Sequence, residues 1–284
     1  MTEITDTEFS LLRKFLMDAS GIDVPETKRY LFLTRLNEFM ETRKCSTFSE
    51  LFTRLTTARD DTLKRSFIQE MTIHESSFFR DTYPFDIMQK NLLSALAETR
   101  RTTASLLPPR IRIFSAGCSL GQEPYSIAMV VKSWLETYKL FKSENVTILA
   151  GDISEKILAK ARKGSFTEME MGNKIPPDYV KRYCIKEDHG YRVCDDIKNL
   201  VRFTTLNLSE TFLNLGKFDI IFCRNVVIYF PIPLKQKIFK QFYQMLQPDG
   251  ALFLGSSESL YKLSNDYNSI DSPYGMYFAP IKKL

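Results

Sequence analysis

Histidine and cysteine are scarce in this sequence, and the short motifs of several common sites are missing. The two histidines, His74 and His189, leave little for a metal centre or for histidine-based catalysis. The five cysteines, an odd number without a C-x-x-C spacing, favour a reducing compartment. Neither G-x-G-x-x-G nor G-x-x-x-x-G-K-S/T occurs, which disfavours a dinucleotide or a nucleoside triphosphate as ligand. H-E-x-x-H does not occur either.

Long apolar runs and runs of one charge are also missing. No apolar stretch approaches the ~18 residues of a membrane span, and the first residues, MTEITDTEF, lack the apolar core of a signal peptide. The net charge is +5, but the 39 basic residues are scattered, and residues 1–80 carry 12 Lys and Arg against 13 Asp and Glu. We therefore expect a soluble cytoplasmic protein that neither inserts into a membrane nor presents a basic arm to nucleic acid.

Apolar periodicity divides the 284 residues into a helical part and an alternating part. Residues 1–72 show four short amphipathic helical patterns, typical of a small bundle that serves either as a stability cap or as a docking module. We predict a helical N-terminal domain over residues 1–80, a linking helix and loop over 81–109, and a domain of alternating strands and helices over 110–284. Such alternation implies a mostly parallel sheet, which residues 165–200 interrupt with a small hairpin flap.

The alternating part begins with IRIFSAGCSLGQEPYSIAM, residues 111–129, which predicts a strand, a tight turn of small residues and a helix. Pro124 suits the first helical turn, where a missing N–H costs nothing. The second strand, over 146–150, is followed by Asp152, which is placed either to accept hydrogen bonds from ribose hydroxyls or to cap the next helix. We favour the ribose because a turn of small residues precedes it.

Further strands are predicted over residues 200–204, 218–223, 251–254 and 274–279, with a turn at 247–250. Because parallel strands end at one edge of a sheet, we expect Gly117–Gly121, Asp152, Asn207 and Asn225–Tyr229 to face one cleft. The first two of these suit a nucleoside with a charged tail. The position of Tyr229 fits a core aromatic as well as it fits a side chain in that cleft.

The segment HESSFFR, residues 74–80, places two aromatics beside an arginine. Phe78 and Phe79 suggest a buried anchor, and the Arg80 guanidinium presents donors suited to a carboxylate. From spacing alone, a structural salt bridge is the more common role of such an arginine. His189, in a polar turn of the flap, is expected to be solvated.

These motifs together resemble those of the chemotaxis receptor glutamate methyltransferase (CheR-type) family. SAGCSLGQEPYSIAM, AGDIS, LNL and FCRNVVIYF occur in the family's order, with HESSFFR before them and LFLGSSESL after them, so the resemblance covers nearly the whole chain. It implies an α/β, Rossmann-like S-adenosylmethionine-dependent methyltransferase fold with a small β-hairpin flap, preceded by a small all-helical domain. It also implies a protein-glutamate O-methyltransferase that forms methyl esters on the cytoplasmic helical bundle of a chemoreceptor and releases S-adenosylhomocysteine, for sensory adaptation in signal transduction.

The resemblance also assigns residues by position. The turn from Ala116 with Glu123 holds the methionine part of the cofactor, Asp152 takes the ribose hydroxyls, and Asn207 and Leu208 flank the adenine. Arg80 and Tyr229 are the implied catalytic residues, near the transferred methyl. His74 and Ser76 stand where the family usually has Asn-x-Thr. The residues implied to bind the cofactor are His74, Ser76, Arg80, Ala116, Gly117, Glu123, Asp152, Asn207, Leu208, Asn225 and Val226; no metal is implied.

Two departures from the family pattern bear on partners. The basic row that often marks the second N-terminal helix is interrupted by Glu38 and Glu41, so receptor contact there is expected to be weaker or differently placed. The flap lacks the glycine-rich insertion of members that dock on a receptor's C-terminal pentapeptide tether. We therefore expect a tether-independent enzyme, recruited to receptor clusters at the inner face of the membrane. Binding of a second messenger or another signalling protein by the N-terminal domain stays open.

Two other functions are weighed against this one. Nucleic-acid methyltransferases that modify exocyclic amines usually show an Asn/Asp-Pro-Pro-aromatic motif, whereas residues 224–227 here are Arg-Asn-Val-Val. A non-catalytic module that senses the cofactor and binds partners through residues 1–72 is the second alternative. The presence of Arg80, Asp152, Asn225 and Tyr229 weighs against it.

Overall fold

The computed structural model describes residues 3–57, 61–72, 75–103 and 108–282. The first part of the chain is a bundle of helices whose buried apolar side chains form a core of their own. A capping box at Thr5 and Glu8 starts the first helix, and Gly21, with φ of 77°, ends it. The predicted four-helix bundle is thus confirmed, with α1 (Asp6–Ser20), α2 (Tyr30–Thr42), α3 (Phe48–Thr57) and α4 (Thr62–Met71).

A long irregular helix then leads to the sheet, where a linking helix is predicted. It consists of α5 (Tyr83–Ile87), a π-helical turn (Met88–Leu92) and α6 (Leu93–Thr103). Phe85 and Ile87 are buried in the core of the following part, so this helix packs on the sheet. No helix within the described ranges is long and apolar enough to cross a bilayer.

The remaining elements alternate, as the sequence predicts. The strands are β1 (Ile111–Ala116), β2 (Val146–Asp152), β3 (Ser165–Thr167), β4 (Cys184–Glu187), β5 (Gly190–Val193), β6 (Val201–Thr205), β7 (Phe218–Cys223), β8 (Leu246–Leu254), β9 (Tyr267–Ser272) and β10 (Gly275–Pro280). The helices are α7 (Gln122–Thr137), α8 (Glu155–Lys163), α9 (Glu168–Met171), α10 (Pro177–Tyr183), α11 (Asp195–Lys198) and α12 (Ile232–Met245).

Seven strands form one sheet in the order β6-β2-β1-β7-β8-β10-β9. The first five are parallel, and β10 is antiparallel to both β8 and β9. Successive residues on a strand, such as Ile113 and Phe114, lie in two different buried clusters, so both faces of the sheet are covered. This arrangement confirms the predicted α/β class with a mostly parallel sheet.

The order of strands places a crevice at the end of β1. From β1 the chain moves outward through β2 to β6, and it then returns to β7 on the other side of β1. Connections leave β1 and its neighbour in opposite directions at this point, which opens a crevice at the carboxyl edge of the sheet.

The flap is a small antiparallel sheet in the order β3-β5-β4. The predicted hairpin of β4 and β5 is confirmed, and His189 is exposed in its turn. The strand β3 was not predicted, because three residues carry no readable alternation.

The sequence prediction was wrong at two places in the last part of the sheet. Residues 247–250 do not form a turn, since β8 begins at Leu246, directly after α12. The register shifts between Phe218 and Ile220 opposite this part of β8, and such an irregularity accommodates Pro248 and Gly250. The strand β9 was missed because it is polar, pairs only with β10 and lies at the edge of the sheet.

Candidate functional site

A cleft lies between the helical bundle and the carboxyl edge of the sheet. The loop after α1, the end of α4, the segment before α5 and the turns after β1, β2 and β7 all contribute to its walls. The structure therefore brings together the strand ends that the sequence singles out. The predicted site residues that line the cleft are Ser76, Arg80, Gly117, Glu123, Asp152, Asn207, Leu208, Asn225, Val226 and Tyr229.

The turn after β1 follows an unusual backbone path. Gly117, Ser119 and Gly121 have φ angles of 75°, 49° and 93°, all in the left-handed region. A Cβ on Gly117 would lie 2.4 Å from Cγ2 of Val226, so only glycine lets these two walls approach each other. Cys118 lies in the same turn, where burial raises the pKa of its thiol well above the ordinary value and makes it a poor nucleophile.

Asp152, the last residue of β2, is buried at the bottom of the cleft. Its Oδ2 accepts a hydrogen bond from Ser119 N at 2.9 Å, and its Oδ1 accepts one from Ser154 N at 3.0 Å. The cap of α8 is Ser154, whose hydroxyl accepts from Ile157 N at 3.3 Å. The alternative that Asp152 caps this helix is therefore wrong, and each of its oxygens keeps a further lone pair for a donor in the cleft.

Glu123, in the first turn of α7, is held by two groups at the floor of the cleft. Ser115 Oγ donates to its Oε1 at 2.8 Å, and Arg224 Nη1 donates to its Oε2 at 3.0 Å. Burial raises the pKa of this carboxyl, while Arg224 and Ser115 oppose the rise. Glu123 thus pairs with Arg224 besides lining the cleft.

Arg80 follows the buried rings of Phe78 and Phe79, as the sequence predicts. In the described part of the chain its guanidinium has no ion pair or side-chain hydrogen bond, so the structural salt bridge that the spacing favoured is not found there. Its charge acts on the hydroxyl of Tyr229, which lies in a 3-10 turn at Val227–Tyr229. Burial raises the pKa of Tyr229, Glu75 adds to the rise, and Arg80 and Arg35 oppose it.

Asn225 and Val226 form the wall after β7. Asn225 has a φ of 60°, and Glu258 fixes this backbone by accepting from Asn225 N at 2.7 Å and from Val226 N at 3.2 Å. Glu258 also accepts from Gly255 N at 2.8 Å. The side-chain Oδ1 of Asn225 is buried and has no hydrogen-bond partner among the described residues.

Asn207 joins the sheet to the helical bundle. Its Nδ2 donates to the carbonyl of Ala19 at 3.0 Å, and its Oδ1 accepts from Ser209 N at 3.1 Å. Asp23 N donates to the carbonyl of Tyr229 at 2.9 Å, which adds a second link between the two parts. The loop after α1 is therefore fixed as a wall of the cleft.

Two of the predicted site residues are placed differently from the rest. Ala116 is the last residue of β1 and is packed in the core, 1% exposed, rather than in the cleft wall. His74 lies outside the described residues. Among the described residues, no group of three or more His, Cys, Asp or Glu is placed to hold a metal ion.

Sequence reasoning missed Arg224, Glu258 and the loop Ile22–Pro25 as parts of this site. An arginine directly after the mostly apolar strand β7 is a readable signal, because a charge at the end of a buried strand needs a partner. Glu258 lies in the quoted LFLGSSESL motif, but its partners are backbone amides that no pattern reveals. The loop after α1 carries no signal, since only the docking of the bundle brings it to the cleft.

Comparisons with known proteins identify the family. The model of the CheR methyltransferase all-alpha domain matches residues 7–72, and the model of the CheR methyltransferase SAM binding domain matches residues 74–276. Chemotaxis protein methyltransferase 1 of Pseudomonas aeruginosa is 35% identical to the chain over 274 residues, with 96% of this chain and 97% of the relative covered. Chemotaxis protein methyltransferase of Vibrio anguillarum is 36% identical, with 98% and 99% covered.

Among solved structures, the chain is similar to PKMT2 from Rickettsia typhi in complex with AdoHcy. The TM-score is 0.37 and the identity 18%, with 64% of this chain and 26% of that chain covered.

The residues of the cleft fit S-adenosylmethionine. The Oδ1 of Asn225 is a buried acceptor without a hydrogen-bond partner among the described residues, and such an atom is costly unless a ligand donates to it. Asp152 offers further acceptor capacity for hydroxyl donors, and the bare backbone at Gly117 allows close approach. The chain belongs to the CheR family of chemotaxis methyltransferases, with S-adenosylmethionine as its methyl donor.

Proposed function

We propose that the protein transfers methyl groups to glutamate side chains on the cytoplasmic helical bundle of a chemoreceptor and so acts as a protein-glutamate O-methyltransferase. The observation that carries this proposal is the Arg80 guanidinium. It faces the cleft together with Tyr229 and has no ion-pair partner in the part of the chain that the structure describes. An arginine fork without a carboxylate of its own suits an incoming carboxylate.

The chemistry of a carboxylate nucleophile suits this cleft. A glutamate carboxylate has an ordinary pKa of about 4.3, so it is ionised at neutral pH and needs no general base. S-adenosylmethionine, when bound, supplies a methyl group that its sulfonium has already activated. The protein then accelerates the reaction mainly by holding the reacting groups in line. The described lining residues include carboxylates, hydroxyls and arginines.

Each predicted residue has a proposed task in this reaction. Arg80 anchors a carboxylate, and the ring of Tyr229 faces the cationic sulfonium. Asp152 accepts from the ribose hydroxyls, Asn207 and Leu208 flank the adenine, and Asn225 with Val226 lies beside the methyl donor. The turn that follows Ala116, with Gly117 and Glu123, takes the methionine part, and His74 and Ser76 are also assigned to the cofactor.

The flap supports a tether-independent reaction. Its hairpin turns through only Asp188 and His189 between β4 and β5, so it has no glycine-rich insertion to hold a C-terminal peptide. We propose that the receptor bundle itself docks on a cytoplasmic enzyme at receptor clusters. In this proposal the helical domain over residues 1–80 and the linker over 81–109 precede a methyltransferase domain over 110–284, and no nucleic acid takes part.

Radiolabelled methyl transfer tests the substrate. The protein is incubated with labelled S-adenosylmethionine and the cytoplasmic fragment of a receptor from the source organism. The matched control is the same fragment with its methylatable glutamates replaced by alanine. We expect base-labile label on the first fragment and none on the second. Label on RNA, or base-stable label on protein, would contradict the proposed ester.

Peptide capture tests the tether. A peptide that ends in a receptor-type pentapeptide is compared with the same peptide lacking those residues. We expect no difference in binding between the two peptides, and tight binding of the tailed peptide alone would overturn tether independence.

A further inference from the structure

We propose that Arg224 is a positioning residue that holds the segment Phe79–Asp81 so that Arg80 faces the cleft. Arg224 itself is turned away from solvent, with a side chain 1% exposed. Its effect on turnover rests on the proposed function, whereas its effect on the segment can be measured without any substrate.

One guanidinium joins three segments of the chain. Its Nη2 donates to the carbonyl oxygen of Arg80 at 2.5 Å and to Asp81 Oδ2 at 3.0 Å. Its Nη1 donates to Glu123 Oε2 at 3.0 Å. The strand end that carries Arg224 is thereby tied both to the first turn of α7 and to the loop that carries Arg80. The planar fork of arginine makes such divergent bonds, and the single ammonium of lysine does not.

The backbone around Arg80 needs this support. Phe79 and Asp81, on either side of Arg80, have φ angles of 48° and 50°. Two non-glycine residues in the left-handed region are unfavourable, and they persist only where surrounding contacts fix them. Ser126 Oγ accepts from Phe79 N at 3.0 Å on one side, and Arg224 donates to Arg80 O on the other. These two bonds clamp the sharp turn that directs the Arg80 side chain.

Charge balance explains why an arginine occupies this place. Glu123, with a side chain 12% exposed, and the half-buried Asp81 are both partly shielded from water, and Arg224 is the cation that pairs with both. Removal of its charge would leave Glu123 uncompensated in the interior, which is strongly destabilising. The informative substitution is therefore Arg224→Lys, which keeps the charge but not the set of bonds.

Arg100→Lys is the matched control. The Arg100 side chain is 16% exposed and also binds two carboxylates, those of Asp219 and Asp249. Asp219 additionally accepts from Arg112 N, near the start of β1, so this network lies at the amino edge of the sheet, away from the cleft. The two substitutions remove similar bonds from opposite edges.

Hydrogen exchange measures the segment directly. The readout is deuterium uptake in a peptide spanning residues 75–83 of the full-length protein. We expect Arg224→Lys to speed exchange in this peptide about tenfold or more relative to the wild type, and Arg100→Lys to leave it unchanged. Equal exchange in the wild type and Arg224→Lys would overturn the proposal, as would an equal rise in both variants.

A double-mutant cycle measures the catalytic link. We expect Arg224→Lys to lower kcat about 10- to 100-fold, since small displacements of a positioned group have effects of this size. In an Arg80→Ala background the same substitution should have almost no further effect, because both changes remove one interaction. If the double variant loses kcat by the product of the two single losses, Arg224 does not act through Arg80.

The two proposals fail in different ways. If the wild-type protein transfers no methyl to the receptor fragment, the proposed substrate is wrong, and the exchange measurement still decides the role of Arg224. If the wild type is active and the losses of kcat in the single variants multiply in the double variant, the proposed substrate is supported and the positioning role of Arg224 is wrong.

Discussion

Two arginines, Arg100 and Arg224, bind carboxylates at opposite edges of the same sheet, and their surroundings differ. At the amino edge, Arg100 donates to Asp219 at 2.7 Å and to Asp249 at 2.6 Å and 3.0 Å, and it does not line the cleft. At the carboxyl edge, Arg224 binds two carboxylates and also a backbone carbonyl in the wall of a cleft. The first network fastens strands and a helix together, and the second shapes a binding surface.

Backbone strain follows the same division. Of six non-glycine residues with positive φ in the described chain, four lie at the carboxyl edge beside the cleft, namely Phe79, Asp81, Ser119 and Asn225. Residues in sparsely populated backbone regions cluster at functional sites, where surrounding bonds hold them in place. The strained residues thus gather at the carboxyl edge, where the cleft lies, so we expect substitutions there to change activity and substitutions at the amino edge to change stability.

The largest effect is expected at Arg80. Arg80→Ala should lower kcat about 100-fold or more, because the cleft loses a guanidinium that has no ion pair within the described ranges. The free energy of unfolding should change by no more than about 0.5 kcal/mol, as is usual for a side chain that makes no ion pair or hydrogen bond among the described residues. Initial rates at saturating substrate and urea unfolding check the two parts. If Arg80→Ala is stable and fully active, the carboxyl edge does not differ from the amino edge in its importance for activity.

A smaller effect on cofactor affinity is expected at Asp152. Asp152→Ala should weaken binding of S-adenosylhomocysteine about 10- to 100-fold, since hydrogen bonds to a charged group contribute about 1.5–3 kcal/mol. Calorimetry measures the affinity, and Asp249→Ala at the opposite edge is the control that should bind normally. Full affinity in Asp152→Ala would end the ribose assignment.

At the amino edge, the expected change is in stability and not in activity. Asp219 is 2% exposed and accepts from Arg112 N at 2.6 Å as well as from Arg100. Asp219→Ala leaves these donors without their acceptor and should lower the free energy of unfolding by about 2–4 kcal/mol. The value of kcat/KM per folded molecule should stay within about twofold of the wild type. Loss of activity without loss of stability would contradict the division of tasks.

The smallest effect is expected in the pH dependence. Because burial raises the pKa of Tyr229 above its ordinary value of 10, its hydroxyl stays protonated through the alkaline range in which most assays are run. Between about pH 7 and 9.5, the rate of methyl transfer should therefore follow the same pH dependence in the wild type and in Tyr229→Phe. A fall in that range, present in the wild type and removed by the substitution, would show that the hydroxyl ionises earlier.

Much of the fold could be predicted because its signals are local. Helical periodicity revealed the bundle, and the strand predicted over residues 218–223, mostly apolar, matched the observed bounds of β7 (Phe218–Cys223). The polar edge strand β9 and the short strand β3 could not be predicted, since pairing with a neighbour and not their own pattern makes them strands. Pro248 and Gly250 suggested a turn, yet they lie in an irregular part of β8.

The sequence by itself determined which residues end the parallel strands, and with them most of the predicted cleft residues, because strand ends follow from apolar runs and small-residue turns. Only the tertiary structure decided that Arg224 and Glu258 support the loops that carry Arg80 and Asn225. It also placed Ala116 in the core and Ile22–Pro25 in the wall of the cleft. These contacts join residues that are distant in the chain, so no local pattern encodes them, and only the packing of the bundle against the sheet brings them together.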